Sequence, residues 1–220
     1  MKFDLHVHSI YSSDGHMDVK QIVSLAKSRG LGGVAVTDHN AFEAYRKFPD
    51  FKDSGLILVP AMEVSSAVGH ILAYGIKSPI PKTLTVEDTV DRIKDAGGLP
   101  VAAHPYRKVT GMGEDNVLRG RFRYLEGING RTRPGANKKA VVLAKRIGAT
   151  ITGGSDAHLP EELGSAVTIL PDNISSVEEL LEAIFKGLSH AEGDQPGFKK
   201  YAGTAGHNVV RWVKRGGRWM

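Results

Sequence analysis

The chain has 220 residues, 41% of them hydrophobic, which is typical of a globular protein with one sizeable core and excludes a disordered or fibrous chain. It contains no cysteine, so disulfides and thiolate metal sites are excluded and any metal must be held by imidazole and carboxylate groups. No window approaches the roughly 18 consecutive apolar residues of a membrane span. With no apolar leader after Met1, we expect a cytoplasmic protein with no membrane partner.

Short β-type runs alternate with helical stretches along the chain, a pattern that predicts an α/β protein with a mostly parallel sheet. Strands are predicted at 3–7, 33–37, 57–63, 71–74, 99–103, 124–128, 149–153 and 166–170. Asp18 is a good N-cap for a helix that reaches residue 26, and Thr85 caps a helix at 86–96. Further helices are predicted at 137–147 and 177–186.

No linker, repeat or change of composition interrupts the chain before about Asp194. We therefore predict one domain over residues 1–193, followed by a basic tail over residues 194–220. The tail holds much of the excess positive charge that gives the chain its net +5. We expect it to pack on the same domain, because it also carries the apolar residues Val209, Val210, Trp212 and Val213.

Histidines and carboxylates recur where the predicted strands end. His6 and His8 close the first strand, and at this spacing both imidazoles point to the same side of an extended chain and can share one ion. Active sites of α/β folds lie at such strand ends. Six histidines and three carboxylates share this placement: His6, His8, Asp14, His39, Glu63, His70, His104, Asp156 and His158.

Any one of these residues is more often a hydrogen-bonded loop residue than a metal ligand, but chance does not account for nine of them at one edge of a sheet. The set therefore predicts a metal site. Mixed imidazole and carboxylate ligands suit Zn, Mn or Fe(II), and the residue types do not choose among these metals.

Four motifs resemble those of the PHP domain, the family named for polymerase and histidinol phosphatase. They are Asp-Leu-His-Val-His-Ser at 4–9, Val-Thr-Asp-His-Asn at 36–40, the segment 63–70 together with His104-Pro105, and Gly-Ser-Asp-Ala-His at 154–158. The resemblance extends over residues 4–167. It implies a distorted (β/α)7 barrel, similar to a TIM barrel, with the metal site at the C-terminal ends of the strands.

The resemblance also implies two or three divalent ions and assigns their ligands. The first ion would be held by His6, His8, Glu63 and Asp156. Glu63 would bridge to a second ion, which is also held by His70 and His104. A third ion would take Asp14, His39 and His158. His16 lies two residues from Asp14 and could replace it as a ligand.

Such a positively charged cluster suits hydrolysis of a phosphate ester, because metal ions lower the pKa of water and clamp phosphoryl oxygens. Arg107 is the best candidate to bind a phosphate oxygen, since a guanidinium matches that geometry. Arg131 and Arg133 follow the sixth predicted strand and offer two further substrate-binding groups. The general acid could be Asp156 or a metal-ligating histidine such as His158.

We therefore predict a metal-dependent phosphoesterase that acts on a phosphorylated small molecule or nucleotide. One alternative is a nuclease or phosphodiesterase that acts on oligonucleotides, with the basic tail attracting the strand. Another is a non-catalytic RNA-binding subunit resembling the ribonuclease P protein, although such a subunit does not need a complete set of metal ligands.

Overall fold

Nine β-strands and five α-helices form the part of the chain that the structure, a computed structural model, describes, which is residues 1–193. The strands are β1 (Lys2–Val7), β2 (Gly33–Val36), β3 (Ile57–Ser66), β4 (Gly69–Tyr74), β5 (Leu99–Ala102), β6 (Tyr124–Asn129), β7 (Thr150–Gly154), β8 (Ala166–Ile169) and β9 (His190–Gly193). The helices are α1 (Val19–Ser28), α2 (Val86–Asp95), α3 (Gly113–Arg119), α4 (Pro134–Ile147) and α5 (Val177–Phe185). Two 3-10 segments span Glu43–Ser54 and Pro160–Glu162.

The helix starts follow from local hydrogen bonds. The Asp18 side chain accepts from the Gln21 backbone N–H at 2.7 Å, and the Gln21 side chain accepts from the Asp18 N–H at 3.0 Å, which completes a capping box at the start of α1. Thr85 caps α2 by accepting from the N–H of Asp88 at 3.1 Å. Each cap satisfies a backbone donor that has no partner inside the helix, so both helices begin where their caps predict.

All nine strands belong to one sheet, in the order β7-β6-β5-β4-β3-β2-β1-β8-β9. The sheet curls until β7 returns to the first strand, where the N–H of Asp156 donates to the carbonyl of His6 at 2.7 Å. The N–H of His8 likewise donates to the carbonyl of Ala157 at 2.9 Å. The result is a nearly closed barrel, which confirms the predicted α/β class and barrel shape.

The barrel departs from a regular (β/α)7 repeat at β4. A tight hairpin over residues 67–68 joins β3 to β4, and β4 runs antiparallel to both of its neighbours, β3 and β5. Four strand pairs are parallel and four are antiparallel, so the sheet is mixed and not mostly parallel as predicted. Because β4 is reversed, His70 near its start lies at the same edge as the C-terminal end of β3.

Apolar side chains pack on both faces of the strands. One cluster fills the barrel interior, and two clusters lie between the strands and the surrounding helices. The inner cluster joins Phe3, Val59, Leu72 and Val101 of four strands, and α5 packs against it through Leu180. Two outer clusters pack the other face of the strands against α1 and against α2, α3 and α4. The lower interior is therefore mainly apolar, and the buried histidines lie at the mouth formed by the C-terminal ends of the parallel strands.

All eight predicted strands are present, with ends that differ from the prediction by at most three residues. The prediction missed α3 and β9, which are short and lack a strong periodic pattern. It also began α4 three residues late, because Pro134 was not considered as a first helical residue, a position that proline favours.

The boundary between a domain at 1–193 and a tail at 194–220 stays a prediction, because residues 194–220, with the apolar group at 209–213, lie outside the described residues. Within residues 1–193, no helix combines the length and the apolar character that crossing a membrane requires.

Gly154, at the end of β7, is required for the closure of the barrel. A Cβ at this position would lie 2.4 Å from the Cβ of His6 and 2.6 Å from its backbone nitrogen. We expect Gly154→Ala to push β7 away from β1, to cost about 1–3 kcal/mol of stability, and to lower the Tm by roughly 2–10 °C, measured by thermal unfolding.

Gly135 in α4 is the matched control, because a Cβ there would meet nothing within 4 Å. Gly135→Ala should leave the Tm unchanged or raise it slightly, since alanine favours helix. Equal changes in Tm for the two variants would contradict the close approach of β7 and β1.

Candidate metal centre

The end of β1 carries two histidines into the barrel mouth. Leu5 packs in the inner cluster and Val7 in the outer cluster below α1. The pairing of β1 with β2 shifts register between Asp4 and Val7, which marks a bulge. A bulge changes which face a side chain points to, and here it allows His6 to face inward directly after Leu5, with His8 on the same side. Both imidazoles are fully buried.

The carboxylate of Glu63 lies at the centre of the site. One of its oxygens, Oε1, is 2.8 Å from His70 Nδ1 and 2.9 Å from His104 Nε2. The other oxygen, Oε2, is 3.0 Å from His39 Nδ1 and 3.3 Å from His8 Nε2. Glu63 therefore joins histidines that come from four different segments of the chain.

Asp156 completes a compact group with the first two histidines. The Nε2 atoms of His6 and His8 are 3.1 Å apart. The Oδ1 atom of Asp156 is 3.2 Å from His8 Nε2 and 3.6 Å from His6 Nε2. Glu63 Oε2 lies 3.4 Å from His6 Nε2, so four donor atoms converge on one point.

A further group lies at the more exposed side of the mouth. Asp14 Oδ2 is 3.1 Å from His158 Nε2 and 3.8 Å from His39 Nε2. His8 belongs to the same set of donor atoms, which all lie within 4.8 Å of one another. His16 is exposed and is not part of this set, so Asp14 is the residue that the structure brings to the group. All nine predicted ligands thus meet at one mouth.

The histidines are oriented by hydrogen bonds on their other ring nitrogens. Glu126 Oε1 lies 2.8 Å from His6 Nδ1, and Glu126 Oε2 accepts from the backbone N–H of His104 at 2.8 Å. Ser12 Oγ is 3.0 Å from His8 Nδ1. A partner of this kind fixes the ring and the tautomer, and leaves the remaining nitrogen free to bind a metal.

The carboxylates give the pocket a field that favours cations. Burial alone would lower the pKa of His6, but Glu126, Asp156 and Glu63 hold that pKa well above its usual range. Burial opposes charge on His8 as well, and its contacts with Asp156 and Glu63 nevertheless raise its pKa to about 9. Since the field stabilises protons on these rings, it also stabilises a metal ion in their place.

The donor atoms fit a divalent metal centre. Ligand atoms that each lie about 2.0–2.2 Å from an ion are separated from one another by about 3.0–3.6 Å, close to the distances within these groups. Glu63 Oε2 and Asp14 Oδ1 are buried without a hydrogen-bond partner. A buried carboxylate oxygen without a partner is costly, and a cation would satisfy it. The clusters are therefore suited to binding divalent metal ions.

The three arginines predicted to bind substrate take different places. Arg107 donates to the side chains of Asp156, Asn129 and Thr132, so its guanidinium is engaged within the site. Arg131 lies beside the mouth, with Nε 3.7 Å from Glu162 Oε1. Arg133 is exposed at the start of α4 and is not among the residues that the structure brings to the cluster.

Asp156 is a carboxylate at neutral pH. Burial would raise its pKa, but Arg107 and the histidines around it hold that pKa well below its usual range. It is therefore suited to accept hydrogen bonds or to bind a cation, and not to donate a proton. Of the two alternatives for the general acid, this geometry disfavours Asp156.

Glu126 and Asn129 were missed by the sequence analysis. Glu126 is buried in the middle of β6, and Asn129 at the end of that strand donates from Nδ2 to Glu126 and to Asp156 Oδ2 at 3.1–3.2 Å. The available signal was one acidic residue inside an apolar strand, Tyr-Leu-Glu-Gly-Ile-Asn. Such a residue is rarely buried without a partner.

The chain is similar in sequence to a known family and to a protein from an archaeon. A family model described as PHP-associated matches residues 134–188. The uncharacterized protein MJ1587 of Methanocaldococcus jannaschii is 33% identical over 120 residues, which cover 50% of this chain and 70% of that protein.

Solved structures share the fold. A two-domain protein from Bacteroides vulgatus that contains a predicted PHP-like metal-dependent phosphoesterase superposes with a TM-score of 0.70 at 19% identity, over 88% of this chain and 64% of that one. Endonuclease Q in complex with a 27-mer duplex that has an abasic lesion at the active site superposes with a TM-score of 0.68 at 20% identity, over 87% of this chain and 57% of that one. This chain thus spans less than two thirds of either protein.

The family model, which includes the motif at 154–158, and the shared barrel agree with the histidines and carboxylates that meet at the mouth. The chain belongs to the PHP-domain family.

Proposed function

We propose that this protein is a hydrolase that cleaves a phosphate ester of a small molecule or nucleotide with the help of two or three divalent ions, Zn, Mn or Fe. The observation that carries the proposal is the convergence of nine imidazole and carboxylate side chains, with Glu63 at their centre, at an open barrel mouth. When bound, such ions lower the pKa of water and neutralise charge on a phosphoryl group.

The proposed ligand groups are those that the family resemblance implies. His6, His8, Glu63 and Asp156 would hold one ion, Glu63, His70 and His104 a second, and Asp14, His39 and His158 a third. Glu63 belongs to two groups because its two oxygens face different histidines.

The exposure of the ligands indicates where a substrate approaches. The side chains of His6 and His8 have no exposed surface, whereas His39 is 22% exposed and Asp14 is 34% exposed. A phosphate group would therefore enter beside Asp14 and His39. Arg131 lies on the neighbouring loop and is proposed to bind it there, with Arg133 further out.

Arg107 is proposed to act mainly by holding Asp156. Its contacts with Asp156, Asn129 and Thr132 fix the orientation of that carboxylate and keep it ionised. Binding of a phosphate oxygen by Arg107, as predicted from the sequence, would require the guanidinium to share its donors with the substrate.

Exposed apolar side chains on the loops around the mouth favour an organic substrate over inorganic polyphosphate. They follow β1, β2, β3 and β5, and they are Ile10, Tyr45, Val68 and Val109. Apolar groups beside a polar reaction centre contact the part of a substrate that does not react.

Hydrolysis of oligonucleotides is the second candidate function, and the distribution of charge favours it. Residues 194–220 contain six Lys or Arg and one acidic residue, which accounts for the whole net charge of +5. Both tryptophans of the chain lie in the same segment. Basic residues interleaved with aromatic ones suit a nucleic-acid strand. Gly193, where the described residues end, pairs with Ala166 and lies near Ile128, toward the metal mouth.

Metal content and turnover together test these functions. Protein purified without chelator should carry at least one Zn, Mn or Fe per chain and should hydrolyse a generic phosphomonoester or phosphodiester. His6→Ala and Asp156→Ala should each reduce turnover by more than about 100-fold, since loss of an outer partner of a metal ligand alone costs about 10–100-fold. His190→Ala, an exposed histidine outside the site, is the control.

The choice of substrate in this assay distinguishes the two candidate functions. Turnover of a single-stranded oligonucleotide but not of small monoesters would favour the nuclease. Protein that holds less than one ion and stays inert after Mn or Zn is added would refute the hydrolase and would favour the non-catalytic RNA-binding role.

Glu126→Gln tests the support of His6. A glutamine keeps one acceptor oxygen, so it cannot serve both His6 Nδ1 and the N–H of His104. We expect metal affinity to fall by about 10–100-fold, measured by competition with a chelator. Glu114→Gln, at a half-buried carboxylate on α3 outside the metal site, should leave the affinity unchanged, and equal affinities in both variants would show that Glu126 does not orient a ligand.

Metal binding should release protons. Because the pKa of His8 is raised to about 9 and that of His6 is also raised, the two rings together hold an additional proton at pH 7, which must leave before both bind metal. Affinity for Mn²⁺ should therefore rise as the pH increases from 6 to 9. Titration calorimetry at pH 7 in buffers of different ionisation enthalpy should detect at least about one proton released, and identical heats in all buffers would contradict the raised pKa values.

A further inference from the structure

A second cavity lies at the end of the barrel opposite the metal centre. It has a volume of about 450 Å³ and is formed where α2, α5 and the first residues of β5 and β6 meet. Pro100, Tyr124 and Leu181 form part of its apolar wall. His104 follows the far end of β5, so with the usual rise per strand residue it lies roughly 15 Å from Leu99 at this cavity.

The charges at this cavity are mainly positive. Its lining contains the cationic side chains of Lys94, Arg121 and Arg123 and a single carboxylate, Glu182. That carboxylate is already paired with Lys186 at 2.7 Å, and Lys94 is paired with Asp91 at 3.5 Å, so the two arginines supply the excess. The local excess is distinctive, because residues 1–193 as a whole contain 23 basic and 23 acidic residues.

Arg121 and Arg123 take no part in the ion pairs found among residues 1–193. The guanidinium of Arg123 lies 5.4 Å from the centre of the Phe185 ring, which is 57% exposed. An exposed aromatic ring with a cation stacked on it forms a flat surface that suits a second ring and a negative charge.

Arg121 follows the last turn of α3 in the left-handed conformation that commonly ends a helix. Arg121 has φ +50°, in the left-handed region that glycine adopts at least cost. The loop therefore holds an arginine at a position where glycine would be more stable.

We propose that this cavity binds a small organic anion that carries an aromatic ring, at a site separate from the metal centre. The volume lies within the range of about 300–1,000 Å³ of small-molecule sites. The apolar wall and the Phe185 ring would contact the aromatic part, and Arg121 and Arg123 would pair with the anionic group.

The C-terminal residues 194–220 are a poor match for this cavity, because they carry a net charge of +5. Gly193, which precedes them, also lies near Ile128, toward the metal mouth and away from the cavity.

Titration calorimetry of the full chain with 2-naphthalenesulfonate tests the proposal, since this probe has no phosphate ester to hydrolyse. We expect saturable binding of one molecule per chain. Naphthalene-2-methanol, which lacks the charge, and methanesulfonate, which lacks the ring, should each bind at least about tenfold more weakly. Equal binding of either fragment would overturn the assigned chemistry.

Two substitutions locate the site. Arg123→Ala should weaken binding of the sulfonate by at least about tenfold. Arg121→Gly should also weaken it, while the Tm stays equal or rises because glycine relieves the positive φ. Arg119→Ala on α3, where the arginine pairs with Glu87 outside the cavity lining, is the matched control and should not change the affinity. Unchanged affinity in both cavity variants, or loss only in Asp156→Ala, would overturn the proposal.

Discussion

The buried carboxylate of Glu63 is the constraint on which the rest of the site depends. A carboxylate with only 1% of its surface exposed is costly unless cations or hydrogen-bond donors surround it. The barrel places imidazoles around it from several directions: Oε1 is hydrogen-bonded to His70 and His104, and Oε2, which a cation would satisfy, faces His39 and His8. Strands that are distant in the sequence must therefore end at the same height around one central group.

Three features of the fold make this convergence geometrically feasible. The bulge in β1 directs His6 and His8 into the mouth. The hairpin between β3 and β4 reverses one strand, so a histidine at its start meets ligands at the ends of the others. The contact of β7 with β1, which Gly154 permits, brings Asp156 to His8. Below the mouth the interior is filled with apolar side chains, which exclude water and strengthen the electrostatic interactions above them.

The two ends of the barrel have opposite electrostatic character. At the mouth, Glu63, Glu126 and Asp156 create a field that raises the pKa of His6 and attracts cations. At the other end, Arg121 and Arg123 lack carboxylate partners among the described residues and surround an apolar cavity. Residues 1–193 carry no net charge, so this contrast comes from the placement of charges and not from their number. A metal centre and an anion site can thus coexist in one small barrel, separated by its apolar interior.

The sequence by itself determined the α/β class, the eight strands with their approximate ends and the nine residues that meet at the mouth, because these depend on local periodicity and on rare residue types at strand ends. It did not determine the reversal of β4, the engagement of Arg107 with Asp156, or the support that Glu126 gives to His6. Arg107 and Asp156 are 49 positions apart in the sequence, and His6 and Glu126 are 120 positions apart. Only tertiary packing decides which distant groups meet, since one residue's local sequence contains no information on its partner's position.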